Sequence, residues 1–161
     1  PDPRFFAILA RGDADPGGVA SLMRVDPEHG AIEVGHICLA PGLQRTRAAS
    51  EAILLLADWA FTAGYRRFEW KCDAKNAPSR QAATRFGFAF EGVFRRHMIV
   101  RGRNRDTAWF AMVDRDWPEL RAAHRRWLDP ANFDAEGRQL LRLGPLTAPV
   151  RARAEAEHPR R

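Results

Sequence analysis

The chain has 161 residues, 45% of them hydrophobic and 29% charged, with a formal net charge of +6. Those proportions fit one folded domain and exclude an intrinsically disordered chain. No apolar run reaches the ~18 residues of a membrane span, and Cys38 and Cys72 alone exclude a multi-bridge disulfide framework or a zinc site of several cysteines.

In chain order, Phe5–Ala10 is a short apolar run that reads as a buried strand. Residues 13–18 are dense in turn formers, and Val19–Val25 reads as a second strand. Residues 26–30 turn the chain into a third strand, Ala31–Leu39. Three strands with short turns predict an antiparallel meander. From Thr46 to Ala63, Ile53, Leu56, Ala57 and Ala60 repeat at the i, i+3, i+4, i+7 spacing of one buried helix face, and Gly64 is a plausible stop. Arg67–Cys72 follows as a strand. Strand, long helix, strand predicts a βαβ crossover with near-parallel neighbouring strands. A second helix is expected over Pro78–Phe86, with proline in its first turn and Gly87 ending it. Phe90–Val100 and Arg105–Val113 read as a final hairpin around residues 101–104. Leu120–Leu128 reads as a short terminal helix that Trp117 and Trp127 dock. Prolines, small residues and charges from about Gly144 predict a mobile tail. The expected organisation is a domain over residues 1–128 and a C-terminal extension over 129–161.

The informative stretch runs from Glu33 to Gly87. Gln44, Arg45, Thr46, Arg47, Ala48 and Ala49 lie at the start of the long helix. A helix N-terminus offers N–H groups and a positive dipole end to a phosphate, and two arginines add charge-assisted donors. A solvated helix start with surface arginines is the alternative. The order of elements around this loop resembles the GCN5-related N-acetyltransferase (GNAT) superfamily. Its loop pattern, Gln/Arg-x-x-Gly-x-Gly/Ala, is met by Gln44 and Ala49, with Arg47 standing where the first glycine is usual. Ser50-Glu51-Ala52 is similar to its Thr-Glu-Ala helix opening. Asn76-Ala77-Pro78-Ser79 is similar to its Asn-x-x-Ser, and Phe86-Gly87-Phe88 with Glu91-Gly92 to its Leu-Gly-Phe…Glu-Gly segment. Residues 103–106, Arg-Asn-Arg-Asp, resemble a turn of the ribosomal-protein alanine/serine N-acetyltransferase branch.

The resemblance spans roughly residues 4–113. It implies an α+β fold with a central mixed sheet, strands splayed beyond Leu39 and Cys72, and helices on both faces. It also implies a first strand and helices ahead of Phe5, so the domain is expected to be incomplete at its N-terminus. It implies acetyl-CoA as co-substrate and no metal. Ile37, Cys38 and Leu39 would hydrogen-bond the pantetheine arm, with Asn76 on its other side unless that residue only forms an Asx turn before Pro78.

Acetyl transfer needs a neutral amine, a positioned thioester and a proton for the leaving thiolate. Glu33, eleven residues before Gln44, has the spacing of the general base in the histone-acetyltransferase branch. The other reading is a carboxylate facing solvent or paired with an arginine. His36 is a second candidate base, since its ordinary pKa is near 6.5. Three positions from Glu33, it faces the opposite side unless a bulge near Gly35 intervenes. The superfamily's tyrosine acid is replaced by Ala83, and Tyr65 is poorly placed, which leaves Ser79 as the acid or as a plain first-turn residue. Cys38 and Cys72 read as small buried hydrophobes, and Trp59, Trp70 and Trp109 as core or groove aromatics.

The expected activity is acetyl transfer to a primary amine by direct attack in a ternary complex, with a protein or peptide N-terminus of the ribosomal-protein type as acceptor. A small amine acceptor, or a non-catalytic CoA-binding module, is the alternative. Arg95, Arg96, Arg101, Arg103 and Arg105 form the sharpest basic cluster. An acidic acceptor fits it, and nucleic acid is not expected. No membrane partner is expected, a homodimer is compatible, and the lack of a basic-then-apolar leader points to the cytoplasm.

Overall fold

The computed structural model describes residues 2–157. The fold is mixed α+β, with six strands and four α-helices, and divides into a unit ending at Phe68 and a second running from Glu69. Among the described residues no helix is long and apolar enough to cross a membrane.

In the first unit, β1 (Arg4–Ile8), β2 (Gly18–Asp26) and β3 (Ala31–Leu39) form the expected antiparallel meander. Alternation puts Ala20 and Leu22 of β2 with Ile32 and Val34 of β3 on one buried face. Helix α1 (Arg47–Thr62) packs against β3 and buries Ile53, Leu54, Leu56, Ala57 and Ala60. It runs within one residue of the expected bounds, with Thr46 as its N-cap and Gly64 in the left-handed region at φ +93° just beyond it. Phe61 meets Phe68 edge-on at 6.3 Å.

Two expectations for this unit fail. The apolar run from Phe5 is a strand, but only Ile8 is buried, and Phe5, Phe6 and Leu9 are exposed. β1 is the outermost strand of the meander, paired with β2 alone among the described residues, and leaves these side chains to solvent. Trp59 and Cys38 are also exposed, because Trp59 lies on the outer face of α1 and Cys38 points off the core face of β3.

The second unit takes up β4 (Arg67–Asp73), α2 (Ala77–Phe86), β5 (Ala89–Val100), β6 (Arg103–Val113), α3 (Trp117–Leu128) and α4 (Leu143–Glu157), with its strands in the order β4-β6-β5. The β5–β6 hairpin closes through Arg101 and Gly102 at φ +49° and +73°, the positive angles a two-residue hairpin turn requires. Its second strand therefore starts two residues earlier than expected. Two extra residues in β5 sit between the pairs Phe94↔Thr107 and Met98↔Arg105, and Arg96 adopts φ +50° there. Trp70 lies against Phe86 and Phe88 with centroids at 6.1 and 5.5 Å. Trp117 and Trp127 are buried, as expected for the docking of α3.

The segment expected to be a mobile tail from about residue 144 is instead helix α4, packed against α2 and α3. Leu143, Thr147 and Val150 are its buried residues. Thr147 Oγ1 lies 3.1 Å from the carbonyls of both Arg85 and Gly144 and divides its single proton between them. Ahead of α4, the buried Asn132 donates to Trp127 O at 2.9 Å and accepts from Leu141 N at 2.7 Å, which folds the extension back on α3. Residues 158–161 of the expected tail lie outside the described residues.

His124 on α3 is 1% exposed, stacks on Phe86 and donates Nε2–H to Phe86 O at 2.8 Å. Among the described residues its buried Nδ1 meets no donor or acceptor. Burial holds its pKa below the usual 6.5, the Phe86 carbonyl opposes that shift, and the charge of Arg85 adds to it. The unfolded chain thus takes up a proton near 6.5 that the fold resists. Stability is full above that value and is lost as pH falls toward the lower folded pKa. Tm should drop between about pH 7.5 and 5.5, and His124→Gln should remove most of that slope. An equal slope in the variant would place the titrating group elsewhere.

Candidate active site

In the first unit, a buried carboxylate and a half-exposed arginine pair on the meander face opposite α1. Glu33 opposes Met23 in the β2–β3 ladder and is 2% exposed. The register slips between Met23 and Asp26, adding one residue to β2, and Arg24 takes φ +50° there. That bulge swings the Arg24 side chain back across the strand, and its Nε lies 3.3 Å from Glu33 Oε2. Burying a carboxylate is costly without such compensation.

A second slip adds one residue to β3 between Gly35 and Cys38. His36 sits in it at φ +48°. Its Nδ1 is 2.8 Å from Oγ of the buried Ser21, and its ring tilts against Phe5 at 5.2 Å. Ser21 and Met23 alternate onto the same face of β2, so the bulge near Gly35 turns His36 toward the face that carries Glu33. His36 itself is exposed rather than partly buried. Gly35 is needed here: a Cβ on it would lie 2.4 Å from Met23 Sδ and 3.5 Å from Glu33 Oε1. Non-glycine residues at positive φ cost on the order of 1 kcal/mol each, and such strain concentrates at working sites.

The loop from β3 into α1 is folded by its own hydrogen bonds. Gln44 N reaches Ala40 O at 3.2 Å, Arg45 takes φ +61°, and Leu43 is buried beneath. Thr46 Oγ1 accepts from Ala49 N at 3.1 Å and donates to Leu43 O at 2.8 Å. Arg47 and Ala48 open the helix, whose first turn holds no acidic residue to oppose an anion. Because Arg47 is already helical, it needs no glycine freedom. Gln44 Nε2 donates to Leu39 O at 3.0 Å, so one of the carbonyls expected to serve a pantetheine already accepts a hydrogen bond. Ile37 and Leu39 are half-buried, and Cys38 pairs with Val19 of β2.

In the second unit, Asn76 caps α2, its Oδ1 accepting from Ser79 N at 3.1 Å, which is the turn its position before Pro78 allows. Ser79 Oγ accepts from Trp70 Nε1 at 3.1 Å. It also hydrogen-bonds the Cys72 thiol. Burial pushes that thiol up, and Ser79, Arg80 and Arg105 pull it back. The Ser79 hydroxyl thus accepts from an indole N–H and lies beside a sulfur. Ala83, where the family's tyrosine is usual, is fully buried, and a larger side chain there would displace the core.

Each unit therefore brings its own set together: Glu33 with Arg24, His36 with Ser21, and residues 44–49 in the first; Asn76 with Ser79 in the second. Trp70 was read from the sequence only as a core or groove aromatic, and Arg24 and Ser21 were not expected at all. Ser21 alone carried a signal, as a polar residue inside an apolar strand.

Comparison with known proteins places these features in a family. A family model described as "Acetyltransferase (GNAT) domain" matches residues 2–89. A GCN5-related N-acetyltransferase from Brucella melitensis is similar at 49% identity and TM-score 0.89, over 91% of this chain and 67% of that one. A probable GNAT acetyltransferase from Chromobacterium violaceum is 46% identical with TM-score 0.71, over 73% of this chain and 59% of that one. An uncharacterized N-acetyltransferase of Bacillus licheniformis is 28% identical over 113 residues, and the match spans 70% of this chain and 63% of that relative.

Proposed function

Because the chain belongs to the GNAT acetyltransferase family, we propose that it moves the acetyl group of acetyl-CoA to a primary amine by direct attack in a ternary complex. The observation that carries this reading is the first unit's joint placement of a buried carboxylate on β3 and an uncrowded, arginine-bearing helix start at Thr46. We assign the CoA phosphates to residues 44–49, and the pantetheine to the backbone of Ile37, Cys38 and Leu39 with Asn76. Glu33 takes the proton of the acceptor ammonium, with His36 beside it as the second candidate. The neutral nitrogen attacks the thioester carbon, the C–S bond breaks, Ser79 Oγ–H passes its proton to the departing thiolate, and the proton shed by the acylated nitrogen leaves to solvent, from which Ser79 is reprotonated. The acceptor is proposed to be a protein or peptide N-terminus, on the likeness of residues 103–106 to a turn of the ribosomal-protein branch, with a small amine as the alternative.

Titration calorimetry with acetyl-CoA tests the cofactor: heat that CoA competes away is expected, and its absence would sink the reading. Ser79→Ala should lower kcat by about tenfold with acetyl-CoA affinity retained, at the low end for a general acid because a thiolate leaves readily. An unchanged kcat would return Ser79 to a purely structural role.

A further inference from the structure

The face of β4 turned away from α2 carries a second set of polar and aromatic groups, all within the second unit. Trp70 and Cys72 contact Phe86 and Ser79 of α2, so alternation turns Lys71 to the opposite side. Its Nζ lies 5.1 Å from the centroid of Trp109. Arg105, Thr107 and Trp109 alternate onto that same side of β6. Phe94 and His97 flank Trp109 at 5.1 and 5.9 Å and meet each other at 5.5 Å. His97 Nδ1 is fixed 3.0 Å from Oγ1 of the buried Thr107. The two-residue slip in β5 places His97 there, and Asp106 holds the slip by accepting from Arg96 N at 2.7 Å.

Among the described residues, two donors in this cluster are buried and meet no acceptor: Trp109 Nε1 and Arg105 Nε. Buried N–H groups without partners are rare in folded proteins, and a ligand that supplies an oxygen satisfies them. The charge of Arg105 is felt at the Cys72 thiol, which Ser79 hydrogen-bonds. Asp106 O also accepts from Ala74 N, just past the end of β4. The cluster thus lies across β4 from the residue assigned to the leaving thiolate.

We propose that this face holds a carboxylate of the acceptor, so that the substrate is an amine with an aromatic or apolar body and a carboxylate, and not a polyamine. The carboxylate takes the N–H groups of Trp109 and Arg105, and the body lies against Phe94 and His97. Arg95, Arg96 and Arg103 on the same hairpin add positive charge that disfavours a polycation. This inference rests on the acetyl-transfer reading above. The carboxylate has two sources, the α-carboxylate of a free amino acid or an acidic side chain near a peptide N-terminus.

The test compares two acceptor pairs, phenylalanine with phenylalaninamide and the peptide amides Ala-Glu-Phe with Ala-Gln-Phe, alongside spermidine. In at least one pair the acid should exceed the amide in kcat/KM by about tenfold or more, mostly through KM. Which pair responds identifies the source. Arg105→Gln should cut that preference to about threefold or less, Arg105→Lys should keep part of it, and Arg126→Gln, at an exposed position of α3, should leave it intact. Acid and amide acting equally in both pairs, spermidine surpassing all four, or Arg105→Gln slowing acid and amide alike would overturn the proposal. Calorimetry with the N-acetylated forms of the same pairs, on protein saturated with CoA, reads the site without turnover. Acid-selective binding with no transfer to any amine keeps the site and removes the transferase reading. Unselective binding with turnover intact does the reverse.

Discussion

Glu33→Gln is expected to lower kcat/KM for acetyl transfer by about 10²- to 10⁴-fold near neutral pH, the usual worth of a positioned general base, while acetyl-CoA affinity is retained. Glutamine keeps the shape of a side chain that is buried on β3 and removes only its charge and basicity. The defect should be largest at low pH, where the acceptor is an ammonium ion that must lose a proton, and should shrink as pH rises and the neutral amine becomes available without help. The competing view is that Glu33 exists to pair with Arg24, whose Nε lies 3.3 Å away. Arg24→Gln separates the two. If it reproduces the Glu33→Gln defect, and both are flat with pH, Glu33 is a structural partner and the base lies elsewhere. His36→Gln then becomes the informative variant, because His36 faces the same side through its bulge.

The largest stability effect is expected at Gly87. Its backbone stands at φ +101° as the left-handed cap of α2, where L side chains are strained. A Cβ there would lie 2.6 Å from Leu120 Cδ2 of α3 and 3.2 Å from Thr147 Cβ of α4. Gly87→Val adds backbone strain and overpacking, each costing about 1–3 kcal/mol, and should destabilise the chain by roughly 3–5 kcal/mol in urea unfolding. Gly87→Ala should lose somewhat less. A loss below about 1 kcal/mol would mean that α3 and α4 do not meet at this point in solution.

Much of this was legible in local chemistry. The helix α1 pattern, the Thr46 cap, the proline opening of α2 and its Gly87 stop are all set by residues next to one another, and the structure places them within a residue or two of expectation. What was not legible depends on partners distant in sequence. The apolar run of β1 looked like core because sequence alone does not say whether a strand is covered. The bulges at Arg24, His36 and Arg96 come from how two strands are registered, and arginine and histidine carry no mark of positive φ. Yet those bulges aim Arg24 at Glu33 and His36 at Ser21. Helix α4 was hidden for a different reason. Pro145 and Pro149 interrupt its pattern, and its buried face at positions 143, 147 and 150 includes Thr147, which satisfies its hydroxyl on carbonyls and so enters a core that hydropathy would deny it.

The hydrogen bond from Trp70 to Ser79 has an optical consequence. An indole's excited state is more polar than its ground state, so its emission shifts with what its N–H touches. Trp70 is buried and tied to the hydroxyl assigned to the departing thiolate, and Trp109 lies beneath the ammonium of Lys71 with its N–H unclaimed. Two of the chain's five tryptophans thus stand on opposite faces of β4, one beside the proposed acid and one at the proposed carboxylate site. Single-tryptophan variants would let fluorescence follow cofactor and acceptor separately, without any added label.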